Sequence, residues 1–419
     1  MIAVISGVAL GHVQSGQPCM PSGTTLSMKW DPYASEWGAY TIDGCTGVNP
    51  KLMLTAGTTY TFDQSDETNW YHPVGFAYIA GGAHAECKQD QAGNLDECPE
   101  LGGEDGVPST IQYYVDGVAV TDDESTFGLD AYEPLFFNSQ DWWGEKNTAN
   151  PFKVTLTIPA DASYTRIYYF CHIHAGMSAE IEITGSTAAA TTVLNAAYLG
   201  GETEASALAI YDAIVADHQK SIAAFDHTCG TYDAVDFDPD SEHATCSGKN
   251  FLYGSGAGDT FAKCLRAIDC KMHHDMAVSV EAGASKFATF ARQMIPHHQN
   301  AVSMAKSLLK FHTAADYGKA GDPDDDDMAM AVALAHEIIN AQNHQIQYMA
   351  GWLDSNPHLV KESDNMCYEQ PPGAACTGTG GKDECAAGTH CSCGGRHPHH
   401  RRHLLFASMG HPMCQCHAD

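Results

Sequence analysis

The hydrophobic period of this chain changes once, and that change dictates a β part followed by an α part. Up to about residue 185, apolar residues alternate with polar ones. Val154, Leu156 and Ile158 interleave with Lys153, Thr155 and Thr157, and Ile181 and Ile183 interleave with Glu180 and Glu182. A period of two belongs to a strand with one buried face. The same region holds many Gly, Thr and Tyr in short runs, as a β-sandwich or barrel does. From residue 205 the step becomes three and four, over Ala205 to Phe225, Asp259 to Glu281, Ser285 to Phe311 and Asp325 to Leu353. Four helices of this length predict an antiparallel bundle. Asp325, Asp326 and Asp327 suit the positive end of the last helix dipole. Pro296 predicts a kink or a break beside His297.

The predicted fold class is therefore multidomain, β then α, with five segments. Residues 1–16 are a short apolar run without a basic region before it, read either as a remnant secretory signal or as a first strand. Residues 17–185 form the β part, with a disulfide-tied insertion and extra strands expected between His72 and Cys171. Residues 186–204, small and polar at their start, are a linker. Residues 205–356 are the helical bundle. Residues 357–419 form a Cys/His-rich tail in which Pro371-Pro372-Gly373 and Gly394-Gly395 break any helix. Seven cysteines between Cys367 and Cys416 predict that disulfides or a metal, not a packed core, hold that tail together.

Charge and cysteine usage narrow the setting. A formal net charge of −31 argues against nucleic acid and against anionic membrane surfaces as partners. No apolar stretch approaches the roughly 20 residues of a membrane-spanning helix. Sixteen cysteines in 419 residues exceed what a reduced compartment tolerates. A secreted, lumenal or periplasm-like oxidising location follows, with Cys19–Cys45, Cys87–Cys98 and Cys229–Cys246 as local pairings.

Cys171 is set apart from those pairs by its neighbours. Phe170-Cys171-His172-Ile173-His174-Ala175-Gly176-Met177 offers a thiolate, an imidazole three residues on and a thioether three residues further, between two strand-like runs. Soft sulfur with imidazole suits copper, and two His, one Cys and a weak axial Met make the blue-copper pattern. The missing imidazole is expected at an earlier strand end, where His72 precedes Pro73, a residue that removes a backbone donor. His84 is the rival, and a buried Cys in a chance His-rich turn is the bland alternative. The segment resembles the cupredoxins, small copper proteins whose last loop reads Cys-x-x-His-x-x-Met. That resemblance implies a Greek-key β-sandwich and a type-1 copper held by His72, Cys171, His174 and Met177.

The helices carry a second constellation. Met272-His273-His274-Asp275-Met276, then Met294-Ile295-Pro296-His297-His298 with Met304, then His344 and Met349 place thioethers and imidazoles at helical spacing. Residues three or four apart share a helix face. Such patches suit Cu(I), whereas Met at this spacing otherwise fills cores, as expected for Met328, Met330 and Met366. Adjacent His297 and His298 point about 100° apart, so one of them is expected to coordinate. Residues 258–355 resemble a bacterial four-helix, ferritin-like domain with a Met-x-x-His-His core, mostly of unknown function but with copper-binding members. The likeness extends to Ala335, Ile338, Ile339, Gln342, Ile346, Met349 and Trp352. Two departures stand out: the doubled His273-His274, and Gln345 where an acidic residue is common. That resemblance implies Cu(I) binding by Met272, His273, Met276, Met294, His297, His298, Met304, His344 and Met349.

Three functional readings follow. The first is a secreted copper-binding protein, with a type-1 centre and a Cu(I)-binding bundle, acting in copper sequestration, tolerance or delivery. One-electron transfer with a redox partner protein would be a second use of the same centre. The second is a copper oxidoreductase resembling multicopper oxidases or nitrite reductases; Phe170, standing where those enzymes place a His, argues against it. The third is a non-redox extracellular binding module. No Ser-His-Asp set, carboxylate pair or phosphate loop stands out to support a hydrolase or kinase.

Overall fold

The computed structural model describes residues 18–77, 110–120, 129–149, 151–162, 164–187, 222–239, 259–277, 285–312, 325–356, 359, 389–393 and 414–418. The chain divides into two units, Met1–Lys220 and Ser221–Asp419. The first holds strands in two mixed sheets and the second holds the long helices, so the order β then α stands.

The strands of the first unit are β1 (Thr25–Asp31), β2 (Ala39–Ile42), β3 (Leu52–Thr55), β4 (Thr59–Asp63), β5 (Val74–Ala77), β6 (Thr110–Val115), β7 (Val118–Ala119), β8 (Lys153–Thr157), β9 (Arg166–Cys171) and β10 (Ser178–Thr184). One sheet runs β2-β1-β4-β8-β6-β7 and the other β3-β10-β9-β5. Most pairs are antiparallel, but β1 with β4 and β3 with β10 are parallel. Alternation decides which face turns inward. Leu26, Met28 and Trp30 of β1, Tyr60 and Phe62 of β4, and Val154 and Leu156 of β8 are buried, while their neighbours are not. Strand β9 is buried continuously from Ile167 to Cys171, as expected of a strand covered on both faces.

Side chains of the two sheets meet in an aromatic core. The Phe62 and Phe76 rings lie 4.9 Å apart, Tyr40 and Tyr169 6.3 Å apart, and the Tyr113 hydroxyl donates to the Val74 carbonyl at 3.1 Å. Burying each such ring contributes about 1.5–3 kcal/mol. The predicted Cys19–Cys45 disulfide is present and ties the chain before β1 to the turn after β2.

The interval between His72 and Cys171 holds strands β5 to β9 and also two helices that no hydrophobic period announced. These are α1 (Leu129–Tyr132) and α2 (Gln140–Ala149), joined by a 3-10 turn over Glu133–Phe137. Ring packing fixes them: Trp143 stacks on Phe152 at 5.2 Å, and Phe136 touches both. Cys87 and Cys98 lie outside the described residues.

In the second unit the helices are α3 (Ala224–Cys229), α4 (Thr260–Met276), α5 (Lys286–Phe311) and α6 (Asp325–Ser355). Their starts follow from caps. The Asp259 carboxylate accepts the amides of Phe261 and Ala262, and the Ser285 hydroxyl accepts that of Ala288. Pro296 lies buried inside α5 without ending it, so the break allowed for at that point does not occur. Most of the predicted Ala205 to Phe225 helix lies outside the described residues, and α3 begins only at its end.

One predicted disulfide is corrected: Cys229 bonds to Cys264, not to Cys246. The two partners sit on α3 and α4, so the contact between helices, not nearness in sequence, selects the pair. In the tail, β11 (Thr389–Cys393) and β12 (Cys414–Ala418) pair antiparallel, with Cys391 opposite Cys416 and Cys393 opposite Cys414. None of the described helices is long and apolar enough to cross a membrane.

Candidate metal centre

Strand register builds this site. Strands β5 and β9 pair with Val74 opposite Cys171, so His72, two residues before β5, arrives beside the end of β9. Pro73 stands just outside β5, and its carbonyl accepts the amide of His172 at 3.0 Å. Beyond Cys171 the chain turns back into β10. The Cys171 amide donates to the Met177 carbonyl at 2.9 Å, which closes a short loop over His174. Gly176 takes a φ of 82° in that loop, a left-handed turn that suits glycine.

The result is a buried cluster. His72, Cys171 and His174 are 0%, 0% and 1% exposed, and their ligand atoms all lie within 4.8 Å of one another. The Cys171 sulfur is 3.7 Å from Nδ1 of His72 and 3.9 Å from Nδ1 of His174. Cys171 forms no disulfide. Met177, 1% exposed, closes the same loop through its backbone. His84, the rival to His72, lies outside the described residues.

Neighbours fix the backbone that carries His72 and the ligand loop. The His72 carbonyl accepts from the Tyr40 hydroxyl at 2.7 Å and from Gln64 Nε2 at 2.6 Å, while its amide donates to Asn69 O at 2.8 Å. Gln64 Oε1 accepts the Val74 amide and the Tyr132 hydroxyl, so one buried side chain links His72, β5 and α1. Asn49 reaches across to the loop, its Nδ2 donating to Gly176 O at 3.4 Å. Tyr71, just before His72, holds a φ of 70°, an unusual conformation for an aromatic residue. Of these supports the sequence announced only Pro73. Tyr40, Asn49 and Gln64 carry no local signal, because the fold and not a sequence motif brings their partners to them.

Burial makes an uncompensated thiolate costly here. Burial pushes the Cys171 thiol up to about 11, although the amides of His174 and Ile173 and the Tyr40 hydroxyl pull it down. A thiol in such a place is neutral at pH 7, and a cation that replaces its proton relieves the cost of the buried thiolate. Next to the cluster, His172 Nδ1 meets the Glu133 carboxylate, which ties the segment between α1 and α2 to the ligand loop.

The helical candidates are placed differently. On α4, Met272 and Met276 are half-buried and His273 is exposed, its Nδ1 beside Asp269 O at 3.1 Å. On α5, Met294 is half-buried, while His297 and Met304 are exposed. On α6, His344 is exposed and Met349 is buried. Gln293 Nε2 donates to Met276 O at 2.7 Å, and Phe287 packs on Trp352 at 4.5 Å, so Met276, Met294 and Met349 fall at neighbouring levels of the three helices. His298 has both ring nitrogens engaged: Nδ1 lies 2.9 Å from Met294 O and Nε2 2.7 Å from Gln345 Oε1. The Met294 carbonyl can only accept, so Nδ1 donates to it; a neutral ring then accepts at Nε2 from the Gln345 amide NH2, which takes the place of Oε1 when that amide group is turned over. Gln345 is thus the side chain that contacts this imidazole from α6.

Residues 287–393 match a family described as Domain of unknown function (DUF305), less than half of the chain. The match contains Met294, His297, His298, Met304, His344 and Met349, and leaves out Met272 to Met276. No curated protein matches the chain, and no solved structure does.

Proposed function

We propose that this chain is a copper-binding protein of an oxidising, extracytoplasmic compartment, acting in copper sequestration, tolerance or delivery. The observation that carries the reading is the buried set of His72, Cys171 and His174, with Met177 closing the same loop. One thiolate and two imidazoles are a soft, borderline donor set that fits copper and zinc but not magnesium or calcium. Met177 tips the choice, since a thioether at that place in the loop serves copper and is foreign to structural zinc sites. Copper bound there would supply one-electron chemistry with little rearrangement. The chain's own part is to exclude water, orient both imidazoles and give up the Cys171 proton.

In this reading the two mixed sheets form a cupredoxin-like Greek-key sandwich. The long helices of the second unit belong to a ferritin-like four-helix bundle. The thioethers of Met272, Met276, Met294 and Met349, with His297, are its Cu(I) donors. His298, locked to Gln345, supports that patch and does not bind. Joining two copper sites in one chain raises their effective concentration for each other.

Metal analysis with optical titration tests this. Purified protein given one equivalent of Cu(II) should retain it through dialysis and show an intense absorption near about 600 nm from sulfur-to-copper charge transfer. Zinc retained in preference to copper, with no such band, would overturn the reading.

A further inference from the structure

Trp30 stands out among the residues around the cluster, because nothing described so far requires it. Its indole lies flat on the His72 imidazole, with ring centroids 4.3 Å apart and planes 24° from parallel. The His174 ring centre lies 4.8 Å from that of His72, with the planes tilted by 38°. Trp30 is 3% exposed, and among the described residues its Nε1 is buried without a hydrogen-bond partner. A buried N–H left unpaired is costly, and buried Trp usually finds a partner for it. The backbone has also made room for the ring. Gly38 sits at φ +81°, and a Cβ there would stand 2.2 Å from that same Nε1. A position that tolerates both penalties is set by what the indole face touches.

We propose that Trp30 is a positioning residue of the metal centre, clamping His72 by its face so that the imidazole keeps its orientation and stays dry. The inference rests on the copper reading above and adds a residue outside the ligand set. Its chemical consequence has a definite sign. With one thiolate ligand, the oxidised site carries one more positive charge than the reduced one. Excluding water from His72 therefore disfavours the oxidised state and raises the potential. Removing the indole should lower it.

The experiment compares wild type with Trp30→Leu and Trp30→Phe in the full chain. Trp30→Leu is expected to keep the absorption band but lose at least tenfold in the preference for Cu(I) over Cu(II), a fall of about 59 mV per tenfold for one electron. Trp30→Phe, which restores a flat ring, should recover most of that loss. A metal-free readout runs beside it: carbethoxylation of His72, followed by peptide mass, should accelerate at least tenfold in Trp30→Leu and less in Trp30→Phe. If Trp30→Leu does not fold, Trp30→Phe decides alone, with at least a twofold faster modification of His72 expected. An unchanged potential and modification rate in variants that keep the band overturns the role of Trp30 and leaves the copper centre standing. A wild-type protein without the band overturns the copper reading itself.

Discussion

The sulfur of Cys171 lies 3.7 Å from Nδ1 of His72, although 99 positions separate them in sequence. The pairing of β5 with β9 creates this contact. Whatever weakens that pairing should open the site before it unfolds the rest of the first unit.

Gln64 is the most sensitive point in that framework. Its amide satisfies the His72 carbonyl, the Val74 amide and the Tyr132 hydroxyl, all buried. Gln64→Ala strands these groups and should cost about 2–4 kcal/mol. Tyr40→Phe removes one of two donors to His72 O and should cost about 1 kcal/mol. Urea unfolding of the metal-free chain, followed by Trp fluorescence, measures both; equal effects would contradict the network.

The buried thiol gives the metal-free protein a specific alkaline dependence. The Cys171 pKa is raised by burial from 9.0 to about 11, so the unfolded chain releases its proton first as pH rises. Stability is therefore fully present below pH 9 and lost between about pH 9 and 11, by about 3 kcal/mol. Denaturation midpoints across that window should fall in wild type by more than in Cys171→Ala. Parallel curves would show that the thiol is not held neutral.

The Cys229–Cys264 bridge closes a separation of 35 residues. Replacing both cysteines by Ser should destabilise the helical unit by about 2–4 kcal/mol. Non-reducing peptide mapping should yield Cys229 linked to Cys264, and a peptide linking Cys229 to Cys246 would contradict the structure.

Met294 and His297 test the helical site apart from the β part. Met294→Leu with His297→Ala should weaken Cu(I) binding at least tenfold in competition with a chromophoric chelator. His298→Ala should weaken it less, since that imidazole is engaged by Met294 O and Gln345. Unaltered affinity in the double variant makes the helices a scaffold.

The ligand loop and the long helices were legible because their signals are local. Asp259 and Ser285 mark helix starts that the caps confirm, and the alternation around Val154 and Ile181 marks β8 and β10. Helix α2 was not legible, since Trp142 and Trp143 stand in no periodic pattern and tertiary contacts, such as Trp143 on Phe152 and Asn147 on Ser65 O, order that segment. The pairing of Cys229 was misread for the same reason: Cys246 is closer in sequence, but the contact of α3 with α4 brings Cys264 to it. Trp30 gave no sign of its place over His72, because that neighbour is delivered by another part of the fold.

The most direct measurement is the optical spectrum of the Cu(II)-loaded chain beside that of Cys171→Ser. Wild type should show the intense band near about 600 nm, and the variant should lose it while its helical unit still takes up Cu(I). Identical spectra from the two proteins would mean that the sulfur of Cys171 does not bind the metal, and the central claim would fall.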